Sequence, residues 1–239
     1  MRIARWFAAV VLLSCSCQQR PDPLPGFPRL VLWAWERPEN LQFLDPHYAG
    51  VAFLSRTVSW RAGELHSQPR LQRLQVPPDT PLIAVVRLES SGAPLPEPES
   101  VNAEILKSAL LPGVRALQVD FDARLSEREW YRGLIRELRR KLNASVPLTI
   151  TALASWCDRD SWIADLPVAE AVPMLFRMGA GEPTLTREFR TPICQSSFGV
   201  ATDELPDALP RGRRLFIFDP RPWDEGSYRG ILRFAAKWN

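Results

Sequence analysis

The sequence predicts an α/β protein: a single (β/α)8 TIM-like barrel, compact and irregular, with some helices replaced by loops. Three observations predict it. From Arg29 onward, eight apolar runs of strand length alternate with helical or loop stretches, as parallel strands joined by crossovers do. Polar and charged residues gather at the C-terminal ends of those runs, where barrel enzymes keep their sites. The roughly 210 residues from Arg29 to the end lie near the lower bound of roughly 200 for this fold. Helices must therefore give way to loops, notably around Pro77-Pro78 and Gly92–Pro98. With 46% hydrophobic and 24% charged residues, the chain of 239 residues has the balance of a globular protein.

Residues 1–14 read as a lipoprotein signal peptide. Arg2 and Arg5 precede the apolar run Trp6–Leu13, a charged region followed by a hydrophobic one too short to span a bilayer. Leu12-Leu13-Ser14-Cys15 resembles the bacterial lipobox, which makes Cys15 the lipidated residue and the anchor to the membrane; Cys17 has poorer residues before it. Ser16 after the cysteine, by resemblance to sorted lipoproteins, points to the periplasmic face of the outer membrane. In residues 15–28, Pro21, Pro23, Pro25 and Pro28 favour an extended, semi-rigid tether. The barrel domain is then 29–239. Export places Cys157 and Cys194 in an oxidising compartment, where the pair is expected to form a disulfide.

Strands are expected at Leu30–Glu36, Val51–Val58, Leu82–Glu89, Ala116–Asp122, Leu148–Trp156, Ala171–Met178, Phe198–Thr202 and Leu215–Asp219. The clearest helix is Glu127–Leu142, with Tyr131, Leu134, Ile135, Leu138 and Leu142 on one face. Ser126 and Glu129 suggest a capping box, and Arg139, Arg140 and Lys141 suit the negative end of the helix dipole. Shorter helices are expected near Val101–Leu111, Asp158–Leu166 and Glu225–Lys237.

Of the 30 basic residues only Lys107, Lys141 and Lys237 are lysine, and the net charge of +3 includes Arg2 and Arg5 of the leader. Without a basic block, nucleic acid is not an expected partner. His47 and His66 are the two histidines, and neither lies near a cysteine or the other; no metal is expected. GxSxG, GxxxxGK[ST] and GxGxxG are all missing, which argues against a nucleophile elbow, a phosphate loop and a dinucleotide fold. No cofactor is expected.

Parity carries most of the functional reading. In Leu117–Asp122, Leu117, Val119 and Phe121 form one face, and Gln118, Asp120 and Asp122 form the other. In a barrel the second face points inward and up to the rim. Arg87 and Glu89 share a parity on the third run, Arg177 lies on the sixth, and Glu36 and Asp219 end the first and last. Trp35, Trp60, Trp156 and Trp223 fall at the same level, and an indole suits stacking on a sugar ring. The plain alternative is that Asp120 and Asp122 neutralise Arg87 and Arg177 and the tryptophans fill the core.

Leu30–Glu36, Gln118–Asp122, Ala152–Cys157 and Ala171–Gly179, with Cys194, Thr202-Asp203-Glu204 and Pro222-Trp223, resemble a bacterial domain-of-unknown-function family of exported proteins (domain of unknown function 3142). That resemblance spans nearly the whole domain and implies no activity. Asp120-Phe121-Asp122 is more distantly similar to the acidic fourth-strand motif of chitinase-like glycoside hydrolase barrels, D-x-x-D-x-D-x-E. Leu117 stands in place of the first Asp and Arg124 in place of the catalytic Glu. The expectation is an envelope-anchored, glycoside-hydrolase-like barrel that acts on or binds a bacterial glycan. Asp122 is the acid or base, Asp120 its modulator, Glu36 or Glu89 the second carboxylate, and Arg87, Arg177, Trp35, Trp156 and Trp223 the substrate-binding groups. The alternative is a non-catalytic carbohydrate-binding or envelope-assembly lipoprotein.

The leader reading makes a direct prediction. Cys15→Ala abolishes metabolic labelling with palmitate and releases the protein from the membrane fraction; undiminished labelling of that variant points to Cys17 or to no lipobox at all.

Overall fold

A computed structural model of the chain describes residues 21–177 and 188–237. The leader, Cys15 and Met178 at the end of the sixth expected run lie outside the described residues. In chain order the strands are β1 (Leu30–Ala34), β2 (Glu39–Asn40), β3 (Ala49–Arg61), β4 (Glu64–Pro69), β5 (Leu74–Gln75), β6 (Leu82–Ser90), β7 (Val114–Asp120), β8 (Leu148–Leu153), β9 (Glu170–Met174), β10 (Ser197–Ala201) and β11 (Arg214–Phe218). Eight of them, β1, β3 and β6 to β11, are parallel neighbours in that order. The circle closes because β1 pairs with both β3 and β11. This is the expected TIM-like barrel, and each of its strands falls on an expected run. The remainder is small: β4 folds back antiparallel on the outer half of β3, and β2 pairs with β5.

Among the described residues three α-helices accompany the strands: α1 (Pro98–Ala109), α2 (Arg128–Lys141) and α3 (Glu225–Ala235). α2 buries Tyr131, Leu134, Ile135 and Leu138, the expected stripe. The expected Ser126–Glu129 capping box does not form. A 3-10 turn at Leu125–Glu127 precedes the helix, and Glu127 reaches back to accept the Arg124 backbone N–H at 2.8 Å. The helix expected at Asp158–Leu166 is replaced by a single π-turn, Trp156–Asp160, ended by Ser161 at φ 50°. A left-handed residue cannot continue a right-handed helix. The Cys157–Cys194 disulfide pins this turn, with a Cα–Cα distance of 5.8 Å and a sequence separation of 37. A loop of that length is worth about 4 kcal/mol on the chain-entropy model.

The apolar residues form two cores. One lies between strands and helices and contains Leu117 and Val119 of β7 and Phe121 just beyond it, as parity requires. The other fills the barrel and includes Val31, Trp33, Ala52, Val85, Ala116, Val172 and Phe216. On β3 the parity changes partway. Register with β6 slips between Leu54 and Arg56, and the odd Ser55 gives its hydroxyl to the Val85 carbonyl at 2.8 Å. Before this bulge Val51 and Phe53 face the helices; after it Val58 and Trp60 do. Arg56 consequently points outward and meets Glu104 of α1 at 3.3 Å.

Residues 21–28 of the proline-rich segment depart from the expected extended, semi-rigid tether. Within residues 21–28, Leu24 is fully buried and Phe27 nearly so, and both belong to the barrel-filling core. The segment closes the N-terminal end of the barrel. Arg214, itself buried, donates to Asp22 at 2.9 Å and to the carbonyls of Pro28 and Leu24 at 3.1 Å. Polar alternation among prolines hid two apolar anchors, and a buried guanidinium needs such acceptors. Glu170 lies 4.0 Å from Arg214 with no exposed side-chain surface. Burial raises its pKa from the ordinary 4.5 to about 7, against the pull of Arg214.

Two predictions follow from these cores. At Gly199 a Cβ would sit 2.7 Å from Cη2 of Trp33, inside a packed ring that cannot retreat. Gly199→Ala therefore destabilises the domain by about 1–3 kcal/mol, read by chemical denaturation. The raised pKa of Glu170 means the folded state holds a proton that the unfolded chain releases. Stability at this site is full below about 4.5 and falls as pH rises toward about 7, a loss of about 3 kcal/mol. Glu170→Gln flattens that slope and gains stability relative to wild type at alkaline pH; an unchanged slope in denaturation curves across this range refutes it.

Candidate functional site

The C-terminal mouth of the barrel carries the polar groups that parity predicted. β7 delivers Asp120 at its last residue and Asp122 two residues on. Gln118, one layer deeper, is fully buried; it accepts from the Trp33 indole N–H at 2.9 Å and donates to Thr149 at 3.3 Å. Asp120 is half-buried and accepts the Thr151 hydroxyl at 2.6 Å. Burial pushes its pKa up from the ordinary 3.8. Thr151 opposes the rise, and the nearby charge of Asp122 adds to it. Asp122 is exposed. Behind them, burial and then the two carboxylates raise the Tyr131 hydroxyl well above its ordinary range.

Two cavities meet over this pair. One, of about 290 Å³, is walled by Trp33, Trp35, Phe176 and Phe218, with Arg177 on its rim. The other, of about 240 Å³, is polar and lined by Glu89, Ser90, Arg124 and Glu127. Asp120, Asp122 and Arg87 line both. Arg87 pairs with Glu89 at 2.9 Å and lies 5.7 Å from the Trp35 ring centroid. Among the described residues it forms no ion pair with either aspartate, although its charge favours the ionised form of Asp120. Phe176 and Phe218 stack at 5.8 Å with 13° between their planes. Together the cavities reach the size of a small-ligand cleft.

Of the residues expected from sequence, the structure brings together Asp120, Asp122, Glu89, Arg87, Trp35 and Arg177. It separates the others. Glu36 is exposed and accepts the Thr57 hydroxyl at 3.3 Å, in a different depression beside Arg70. β1 ends at Ala34, so Glu36 leaves the inward parity. Trp156 is buried in the outer core against Trp162, with ring centroids 4.9 Å apart. Trp223 is buried there too, and its indole N–H donates to the Trp33 carbonyl at 2.9 Å. Trp60 packs on Phe121 and Trp130. None of these three is a platform at the mouth. Asp219 is buried and caps its own turn through the Arg221 N–H at 2.8 Å.

Sequence reasoning missed Thr151, Phe176 and Phe218 at the site, and Arg124, noted only as a departure from the chitinase-like pattern, lines it as well. Thr151 and Phe218 had a readable signal, since each lies two residues beyond an inward residue, Thr149 and Phe216. Among the described residues no group of three His, Cys, Asp or Glu side chains is arranged to hold a metal ion. Fold and mouth define a TIM-like barrel with a carboxylate-floored, aromatic-walled cleft. No family profile, curated protein or solved structure matches the chain.

Proposed function

We propose that the protein is a glycoside-hydrolase-like barrel of the bacterial envelope, anchored through Cys15, that binds and cleaves a glycan at its C-terminal mouth. The observation that supports this best is the position of Asp120. A half-buried carboxyl with a raised proton affinity lies beside a second carboxylate at the foot of an aromatic wall. A sugar places its apolar face on Trp35 and the Phe176–Phe218 stack, and Asp120 meets the glycosidic oxygen.

In this reading Asp120 gives its proton to the leaving-group oxygen. Glu89 is the second carboxylate; it takes a proton from the water that adds to the anomeric carbon, so the bond is exchanged for two hydroxyl groups. Asp122 raises the proton affinity of Asp120 by its charge. Asp120 and Asp122 thus exchange the roles that sequence suggested, because the deeper residue is the one whose charged form loses water. The binding-only alternative draws on Arg124, which occupies the position of the catalytic Glu in the chitinase-like pattern.

Asp120→Asn lowers glycan turnover by about 10²–10⁴-fold while affinity largely survives. Asp122→Asn removes a like charge, lowers the pKa of Asp120 and moves the alkaline limb of the pH–rate profile to lower pH. Binding without turnover in the wild type selects the binding-only alternative. A melting curve that no oligosaccharide shifts refutes the glycan reading altogether.

A further inference from the structure

Each half of the cleft holds a guanidinium that no ion pair among the described residues engages, and that speaks to the substrate. Several charges at the mouth are already engaged. Glu89 is paired with Arg87. Glu127 is buried, accepting the Ser90 hydroxyl and the Arg124 backbone N–H. Glu204 accepts the Arg177 backbone N–H at 2.5 Å. Two guanidinium groups have no such engagement. Arg124 in the polar cavity and Arg177 on the rim of the aromatic one are both exposed, and neither forms an ion pair among the described residues.

Arg177 is also held in an unusual way. Its φ is 53°, a left-handed conformation that a side chain with a Cβ pays for. Its guanidinium lies 5.6 Å from the Phe218 ring centroid, over the aromatic wall. The cleft therefore carries the acid pair where its halves join and, in each half, one guanidinium without an ion pair among the described residues.

We infer that the substrate is an acidic glycan: an oligosaccharide with carboxylate groups on the units that flank the acid pair, one meeting Arg124 and the other Arg177. This rests on the glycan reading above. Guanidinium binds a carboxylate through two parallel hydrogen bonds, which fixes the direction and register of the chain over Asp120. Asp122, exposed and without an ion pair among the described residues, faces the neutral ring atoms between the two acidic substituents. A neutral glycan would leave both arginines idle.

The test uses the full chain in detergent, titrated with tetrasaccharides of galacturonate, glucuronate and mannuronate, their methyl esters, and a neutral N-acetylated tetrasaccharide. The esters keep the skeleton and remove the charge. At least one acid is expected to bind tenfold or more tighter than its ester, with the advantage shrinking as salt rises. Arg124→Gln and Arg177→Gln each lower affinity for that acid several-fold more than for its ester, and Arg177→Lys restores part of it; melting temperatures confirm folding of each variant. If esters or the neutral glycan bind as well as the acids, or neither glutamine variant discriminates, the acidic-glycan inference fails and the glycan reading stands. If none of the oligosaccharides binds, both fail.

Discussion

The architecture depends on a single indole placed inside the barrel. Trp33 fills the interior between Phe216 and Phe176, its N–H is satisfied by Gln118, and its carbonyl accepts from Trp223. A closed parallel barrel of eight strands must fill its centre with side chains, and small residues elsewhere in the ring make this possible. Gly199 faces the indole with no room for a Cβ, and Ala52 pairs in register with Trp33. One large side chain and its small neighbours thus set how closely the strands approach. Trp33 also forms part of the wall of the aromatic cavity, so the group that closes the core shapes the cleft.

The ends of the barrel are treated differently. At the N-terminal end, Leu24 and Phe27 and the Asp22–Arg214 pair cap the interior. There Glu170 is taken out of water entirely, a cost that its Arg214 neighbour offsets only in part. At the C-terminal end the same inward parity leads to solvent. Asp120 is desolvated enough to hold a proton more tightly, while Asp122, two residues farther along the chain, stays exposed. Depth along one strand is what distinguishes two chemically identical side chains.

The disulfide and the bulge illustrate how local departures serve that frame. Cys157 and Cys194 tie the turn after β8 to the one before β10, across a stretch where no α-helix is described to brace the strands. Ser55 adds a residue to β3, so its outer half can form a hairpin with β4 and cover α1 through Ser67 and Glu104. Helices that a regular barrel would supply are replaced by these shorter devices, as a chain of this length requires.

The sequence by itself determined the eight barrel strands, but not β2, β4 or β5, together with their parallel order and the parity of β7. Each is a local property: apolar runs of strand length, and side chains that alternate every residue. It also placed Asp120, Asp122, Arg87, Glu89, Trp35 and Arg177 at the strand ends that form the mouth. Only the tertiary structure decided which tryptophans face the cleft and which fill the outer core. Trp156 and Trp223 have the same composition signal as Trp35, and their positions depend on where each strand stops and its chain turns. Only the fold decided that Glu36 leaves the site, since β1 ends before it, and that Leu24 and Phe27 leave a proline-rich segment to cap the barrel. The physical reason is common to all of these. Alternation is fixed by the backbone within a strand, but beyond the strand's last hydrogen bond a side chain goes where distant residues leave room and partners.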